Sequence, residues 1–224
     1  MTDRLLTNLR TTIHEGSLVA TPLPLCPDIS LYLIADDYPR GRLPDEEMLA
    51  IMDRPAYWAF CWASGQVLAA YLLANPALCQ GRKVLDLGAG SGVVAIAAAM
   101  AGATEAVACD LDAHALTAST DNAHLNGVRV STLDDLNAAT EKYDLLVAAD
   151  VLYDRENLEW LEKLEDYADE ILVADSRIRD RSVFRDYDLI SELDATTIPD
   201  LDELKEFGHV SVYHRQKKSS SERT

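Results

Sequence analysis

Residues 84–92 read VLDLGAGSG, and their reading decides the fold. Val84 to Leu87 are strand formers broken only by Asp86, as in a central parallel strand, and Gly88, Gly90 and Gly92 then remove every Cβ from the turn that follows. Such a bare turn lets a ligand meet the backbone, or lets strand and helix pack tightly with nothing bound.

Outward from this turn the chain alternates. We expect a helix beginning at an N-cap Ser64 and ending at Asn75-Pro76, strand 83–87, an alanine-rich helix 92–101, strand 105–109, helix 113–125 and strand 128–132. Strand 143–149 follows, then a helix from Asp154 carrying Leu158, Leu161, Leu164 and Ala168, then strand 170–174. Repeated β-α units imply an α/β fold with a mostly parallel sheet and helices on both faces. Residues 188–215 break the rhythm and read as two strands joined by an acidic connection, antiparallel at the far side of the sheet.

Residues 1–55 read as a small N-terminal extension without its own core: a short helix, a proline-broken ATPLPLCPD, a strand in ISLYLI and a turn-rich loop DDYPRGRLPDEE. Residues 56–216 form the main domain and 217–224 a polar, frayed tail. In the extension, Asp36, Asp37, Asp45, Glu46 and Glu47 read as a solvated loop, with a docking rim for a lysine-bearing surface as the alternative.

With 224 residues the chain suits one substantial core, at roughly 100–200 residues per domain. The net charge of −18 repels a phosphate backbone, so nucleic acid is not an expected partner. No apolar run approaches a membrane span, and MTDRLLTNLRTTIHEG is mixed in charge and unlike a leader. Cys26, Cys61, Cys79 and Cys109 lie far apart without metal-ligand spacing, so we expect neither zinc nor disulfides, and a cytoplasmic setting.

The ligand chemistry follows from the acids. The G-x-G-x-G spacing departs from the G-x-G-x-x-G of dinucleotide sites, and Asp86 would repel a diphosphate while attracting an amine or sulfonium. Asp110 ends the next strand, AVACD, where a carboxylate can accept from both hydroxyls of a ribose, and Asp112 is placed to cap the following helix. In STLDDLN, Asp134 or Asp135 can accept from an adenine amino group. This combination describes S-adenosyl-L-methionine, with its amino-acid end by Asp86, Gly88, Ala89, Gly90 and Gly92.

At these residues the chain resembles the class I methyltransferases, whose fold is a Rossmann-like seven-stranded sheet with an antiparallel last strand. PAYWAFCWASGQVLAAYLL before the glycines and AADVLYD after the fourth core strand are similar to the seven-stranded protein-lysine methyltransferases, most of all the branch acting on the β-subunit of electron-transfer flavoprotein. CPDISLYLIADD resembles that branch's N-terminal strand. The resemblance implies that Trp62 packs on the cofactor with Gly65 opening the helix behind it. It favours Asp135 over Asp134, with Leu136 after it, and places Ala149 along the cofactor cleft. Asp150 and Tyr153 match a D-x-x-Y element bordering the acceptor pocket, with Asp150 orienting the amine or taking its proton through water and Tyr153 walling the pocket.

The implied activity is an S-adenosylmethionine-dependent N-methyltransferase acting on an exposed lysine of a folded protein; a small-molecule, nicotinamide-type N-methyltransferase is the alternative. ADSRIRDRSVF departs from the family pattern, and Arg177, Arg179 and Arg181 read as a solvated turn. Trp58 reads equally as core packing or site.

Overall fold

A computed structural model describes residues 3–38, 44–152, 158 and 160–216. In chain order the elements are α1 (Asp3–Leu9), β1 (Leu18–Pro22), β2 (Ser30–Ile34), α2 (Asp45–Asp53), α3 (Ala63–Ala74), β3 (Lys83–Leu87), α4 (Val93–Met100), β4 (Glu105–Cys109) and α5 (Ala113–Leu125). They continue with β5 (Ser131–Leu133), β6 (Tyr143–Ala149), α6 (Trp160–Lys163), β7 (Ala168–Asp175), β8 (Asp188–Asp194) and β9 (His209–Gln216).

Seven strands form one sheet in the order β5-β4-β3-β6-β7-β9-β8. β3 pairs in parallel with β4 and β6, β4 with β5, and β6 with β7, whereas β9 runs antiparallel to both β7 and β8. The last strand is therefore antiparallel, as expected, but it is inserted inside the sheet. Burial explains the choice: β9 buries Val210, Val212 and Tyr213, while β8 carries Leu189, Ile190 and Leu193 each 37–43% exposed and suits an edge.

Strand residues alternate between two cores. On one face Val84, Leu145, Val147, Leu172 and Val212 meet Leu68 and Leu72 of α3 and Ile96 and Ala97 of α4. On the other, Leu85, Leu146, Ile171, Val173 and Tyr213 meet Leu161, Leu164 and Phe184, and the Phe184 and Tyr213 rings stack at 3.8 Å.

The N-terminal part contributes a separate antiparallel pair, β1 with β2, outside the main sheet. Its buried Leu5, Leu9, Leu18 and Ile34 share a cluster with Trp58 and with Ala115 and Ala118 of α5, so Trp58, 2% exposed, is core. Asn122 of α5 and Asn126, its C-cap, satisfy the open edge of β2. Asn122 Oδ1 accepts from Tyr32 N–H at 2.7 Å and Asn126 Oδ1 from Ser30 N–H at 2.9 Å.

Several local expectations are corrected. Helix α3 starts at Ala63 with Trp62 at the N-cap position, so Ser64 is not the cap; its hydroxyl is drawn to a carboxylate instead. The proline-broken stretch holds β1, because Pro22 sits at a strand end where no ladder N–H is needed. The acidic loop gives way to α2 from Asp45. Strand β5 starts later than expected, at Ser131, and Ala168 belongs to β7, whose pairing with β6 claims it from the preceding helical pattern. The expected helix start at Asp154 lies outside the described residues.

Candidate functional site

The carboxyl ends of β3, β4, β5 and β6 meet where the strand order reverses, the crevice at which open α/β sheets take ligands. The glycine turn forms its floor. Gly88, Gly90 and Gly92 all have left-handed φ, at 70°, 52° and 81°. Two of them are needed by packing: a Cβ on Gly88 would stand 2.5 Å from Val151 Cγ1, and one on Gly92 would stand 2.7 Å from Ser119 Cα. Gly90 differs, because a Cβ there would meet only the Gly88 carbonyl oxygen at 3.9 Å. That open space is a cradle in which a ligand can lie against the backbone.

Two expected acids stand around the glycine turn, and Asp110 contacts it directly. Asp110 Oδ2 accepts from Gly90 N–H at 2.9 Å and its Oδ1 from Asp112 N–H at 2.9 Å, so the carboxylate is fixed in direction with lone pairs remaining. Asp112 caps α5 through His114 N–H, as expected. Asp86 is 2% exposed and accepts from Ala95 N–H at 2.9 Å, in the first turn of α4. Burial pushes its carboxyl up to about 8, with that N–H opposing the shift and Asp110 adding to it. A buried acid this far from its ordinary state marks a candidate functional group, and a cation brought beside it would favour its ionised form.

The other expected residues lie just after β5, at the end of β6, and at the start of α3. Asp135 is half-buried, takes N–H and side-chain N–H bonds from Asn137 at 2.9 Å each, and precedes the buried Leu136, whereas Asp134 is exposed. Ala149 ends β6 half-buried. Trp62 donates Nε1–H to Tyr57 O at 3.1 Å and stands edge-on to the Tyr57 ring, 5.7 Å between centroids. Gly65 meets Val93 Cγ1 at 3.1 Å from an ideal Cβ, so its bareness serves the packing of α3 on α4.

Asp150 adopts a left-handed φ of 52° at the end of β6, and its Oδ1 accepts from Ser64 Oγ at 2.7 Å and Ser176 Oγ at 3.0 Å. Burial raises its pKa, opposed by those hydroxyls and by the Arg177 charge. Tyr153 lies outside the described residues.

Three residues around Asp150 escaped sequence reasoning: Ser64, Ser176 and Arg177. Arg177 is no solvated turn residue. Its guanidinium pairs with Glu203 at 2.7 Å and lies over the Phe207 ring at 4.7 Å and the Trp62 ring at 5.8 Å. Arg179 also faces Phe207, at 5.9 Å, while Arg181 pairs with Glu192 on the surface. Leu111 stands 86% exposed directly after Asp110. Among the described residues no His, Cys, Asp and Glu cluster could hold a metal ion, and no helix is long and apolar enough to cross a membrane.

Comparison with known proteins agrees with this geometry. The ribosomal protein L11 methyltransferase (PrmA) family profile matches residues 68–171. The electron transfer flavoprotein beta subunit lysine methyltransferase of Mus musculus is 39% identical over 151 residues, 66% of this chain and 58% of that protein. The Caenorhabditis elegans homolog of that enzyme is 33% identical over 174 residues, 67% of this chain and 70% of its own length. Among solved structures, magnesium protoporphyrin IX methyltransferase of Synechocystis PCC 6803 with bound SAM shares the fold, with a TM-score of 0.54, 18% identity, and 81% of this chain and 88% of that one covered. The chain thus spans a little over half the length of the mouse relative. With a sheet of that architecture, an acid before the glycine turn and a match covering most of the nematode protein, the chain belongs to the electron transfer flavoprotein beta subunit lysine methyltransferase family.

Proposed function

We propose that this protein transfers a methyl group from S-adenosylmethionine to the side-chain amine of a lysine on a folded protein, with the beta subunit of electron transfer flavoprotein as the acceptor to test first. The observation that carries the reading is Asp110 held on the open backbone at Gly90, with the buried Asp86 near enough to feel the Asp110 charge. The donor set fits this cofactor: a buried carboxylate for a cationic end, a directed carboxylate for a diol, and Leu111 as apolar surface for a ring. When bound, S-adenosylmethionine supplies an electrophilic methyl on a sulfonium. Asp86, Gly88, Ala89, Gly90 and Gly92 would hold its amino-acid end, Asp110 its ribose, and Asp135, Leu136 and Leu111 its adenine, with Trp62, Gly65 and Ala149 completing the cleft.

The protein's own work is alignment and control of charge, since displacement at a methyl needs the nucleophile in line and no covalent enzyme intermediate. The incoming lysine must be neutral, although a free amine has a pKa near ~10.4. Asp150, held by two serine hydroxyls, orients that amine and accepts its proton directly or through water. A carboxylate alone would raise the amine pKa; burial of Asp150 and the neighbouring Arg177 charge temper that pull. The resemblance implies the same wall role for Tyr153, which lies outside the described residues. The four cysteines are buried free thiols, which suits a reducing cytoplasm.

The test is mass spectrometry of purified electron transfer flavoprotein beta subunit after incubation with the enzyme and S-adenosylmethionine. Added mass in steps of about one methyl on a lysine peptide supports the reading. Transfer confined to small amines in a lysate, with no protein modified, would replace it by the small-molecule alternative.

A further inference from the structure

Helix α2 carries its polar and apolar residues the wrong way round for a surface helix. Glu47 is buried at 5% exposure, its Oε1 accepting from His14 N–H at 3.0 Å, while Met48, Leu49 and Met52 stand 42%, 66% and 75% exposed. Glu47 therefore cannot belong to the acidic rim that the sequence offered. Positions 48, 49 and 52 lie on one side of a helix, so the three apolar side chains make a continuous outward face. Scattered exposed hydrophobics need no explanation, but a contiguous patch marks a surface that is covered in function.

The patch leads into the site. Tyr57, 49% exposed, follows α2 in the chain, and its ring meets the edge of Trp62 at 5.7 Å. Exposed acids flank the patch, with Asp45 and Glu46 at one end of the helix and Asp53, beside the exposed Arg54, at the other, on a chain of net charge −18. Apolar centre and acidic rim together favour a partner of opposite sign, and the acids would steer its approach. Two of the three apolar residues are methionines, which adapt to a facing surface without a fixed pocket.

We propose that the outward face of α2, formed by Met48, Leu49 and Met52 and continued by Tyr57, docks the acceptor protein. The partner is a folded protein with an apolar contact set in a basic, lysine-bearing surface. This rests on the methyltransferase reading and adds to it where the acceptor is gripped.

The test compares full-length wild type with the double variant Leu49→Asp, Met52→Asp, using purified electron transfer flavoprotein beta subunit and a short lysine peptide from it as acceptors. The substituted side chains are exposed, and an unchanged melting temperature checks the fold. We expect KM for the folded subunit to rise about tenfold or more, with turnover on the peptide and the affinity for S-adenosylmethionine unchanged. Glu46→Lys with Asp53→Lys should raise the same KM at low salt and much less at high salt. An unchanged KM in the double variant overturns the docking surface and leaves methyl transfer standing. No transfer by the wild type to either acceptor overturns both readings. A dimer that the double variant converts to monomer without a change in KM assigns the face to a second copy of this chain, and that also overturns the proposal.

Discussion

Ser64 Oγ donates to Asp150 Oδ1 at 2.7 Å, joining residues 86 apart in the chain. The bond ties the first turn of α3 to the end of β6, and Ser176 Oγ brings the end of β7 to the same oxygen at 3.0 Å. Three elements thus aim one carboxylate that sits on a left-handed backbone.

Asp150→Asn is the clean probe of this carboxylate, because asparagine tolerates a left-handed φ and alanine does not. We expect kcat/KM to fall by about 100-fold or more, with the affinity for S-adenosylmethionine unchanged by calorimetry. Ser64→Ala removes a hydroxyl that favours the ionised form, so the activity limb that follows Asp150 ionisation should move to higher pH.

If Asp86 holds the cationic end of the cofactor as proposed, binding depends on pH. Its carboxyl is pushed from 3.8 to about 8 in the folded chain, so its contribution to stability is fully present below 3.8 and is lost as pH rises through about 8. A bound cation favours the ionised form and drives off the proton. Titration calorimetry in buffers of different ionisation enthalpy should show proton release at about pH 6.5 and almost none at about pH 9. Asp86→Asn should abolish that release, weaken binding and leave the unliganded protein at least as stable at neutral pH.

The glycines should separate fold from ligand. Gly92→Ala places a Cβ against Ser119 backbone and should cost several kcal/mol, roughly the range of overpacking plus left-handed strain. Gly90→Ala meets open space, so its cost should stay near the strain alone, about 1–2 kcal/mol, while affinity for S-adenosylmethionine collapses. Urea unfolding and calorimetry on both variants check the pair.

Asn122 joins the extension to the site. It is fully buried, its Oδ1 accepting from Tyr32 N–H at 2.7 Å and its Nδ2 donating to Ser91 O at 2.9 Å, inside the glycine turn. Asn122→Ala removes both bonds and should lower unfolding stability by about 2–6 kcal/mol, at roughly 1–3 kcal/mol per lost partner. Hydrogen exchange should quicken in β2 and in the glycine turn together.

Much of this architecture was legible in the chain. Strands β3, β4 and β6 and helix α5 lie where the hydrophobic period places them, because a buried parallel strand and an amphipathic helix leave strong local patterns. The positions of Asp86 and Asp110 around the glycine turn were legible because each lies within a few residues of that turn or of the next strand's end. Ser64 was misread as a cap because local sequence cannot show a carboxylate that arrives from a distant strand. Arg177 was misread as solvated because its partners, Glu203, Phe207 and Trp62, come from two other parts of the chain.

The sequence by itself determined the α/β alternation, the glycine turn and the acids that suit a cationic nucleoside, because each depends on spacing within a few residues. Only the tertiary structure decided that β9 slips inside the sheet, that Asp150 is held by Ser64 and Ser176, and that α2 shows its apolar side to solvent. Those outcomes depend on which distant groups compete for the same buried space, and no local pattern records that competition.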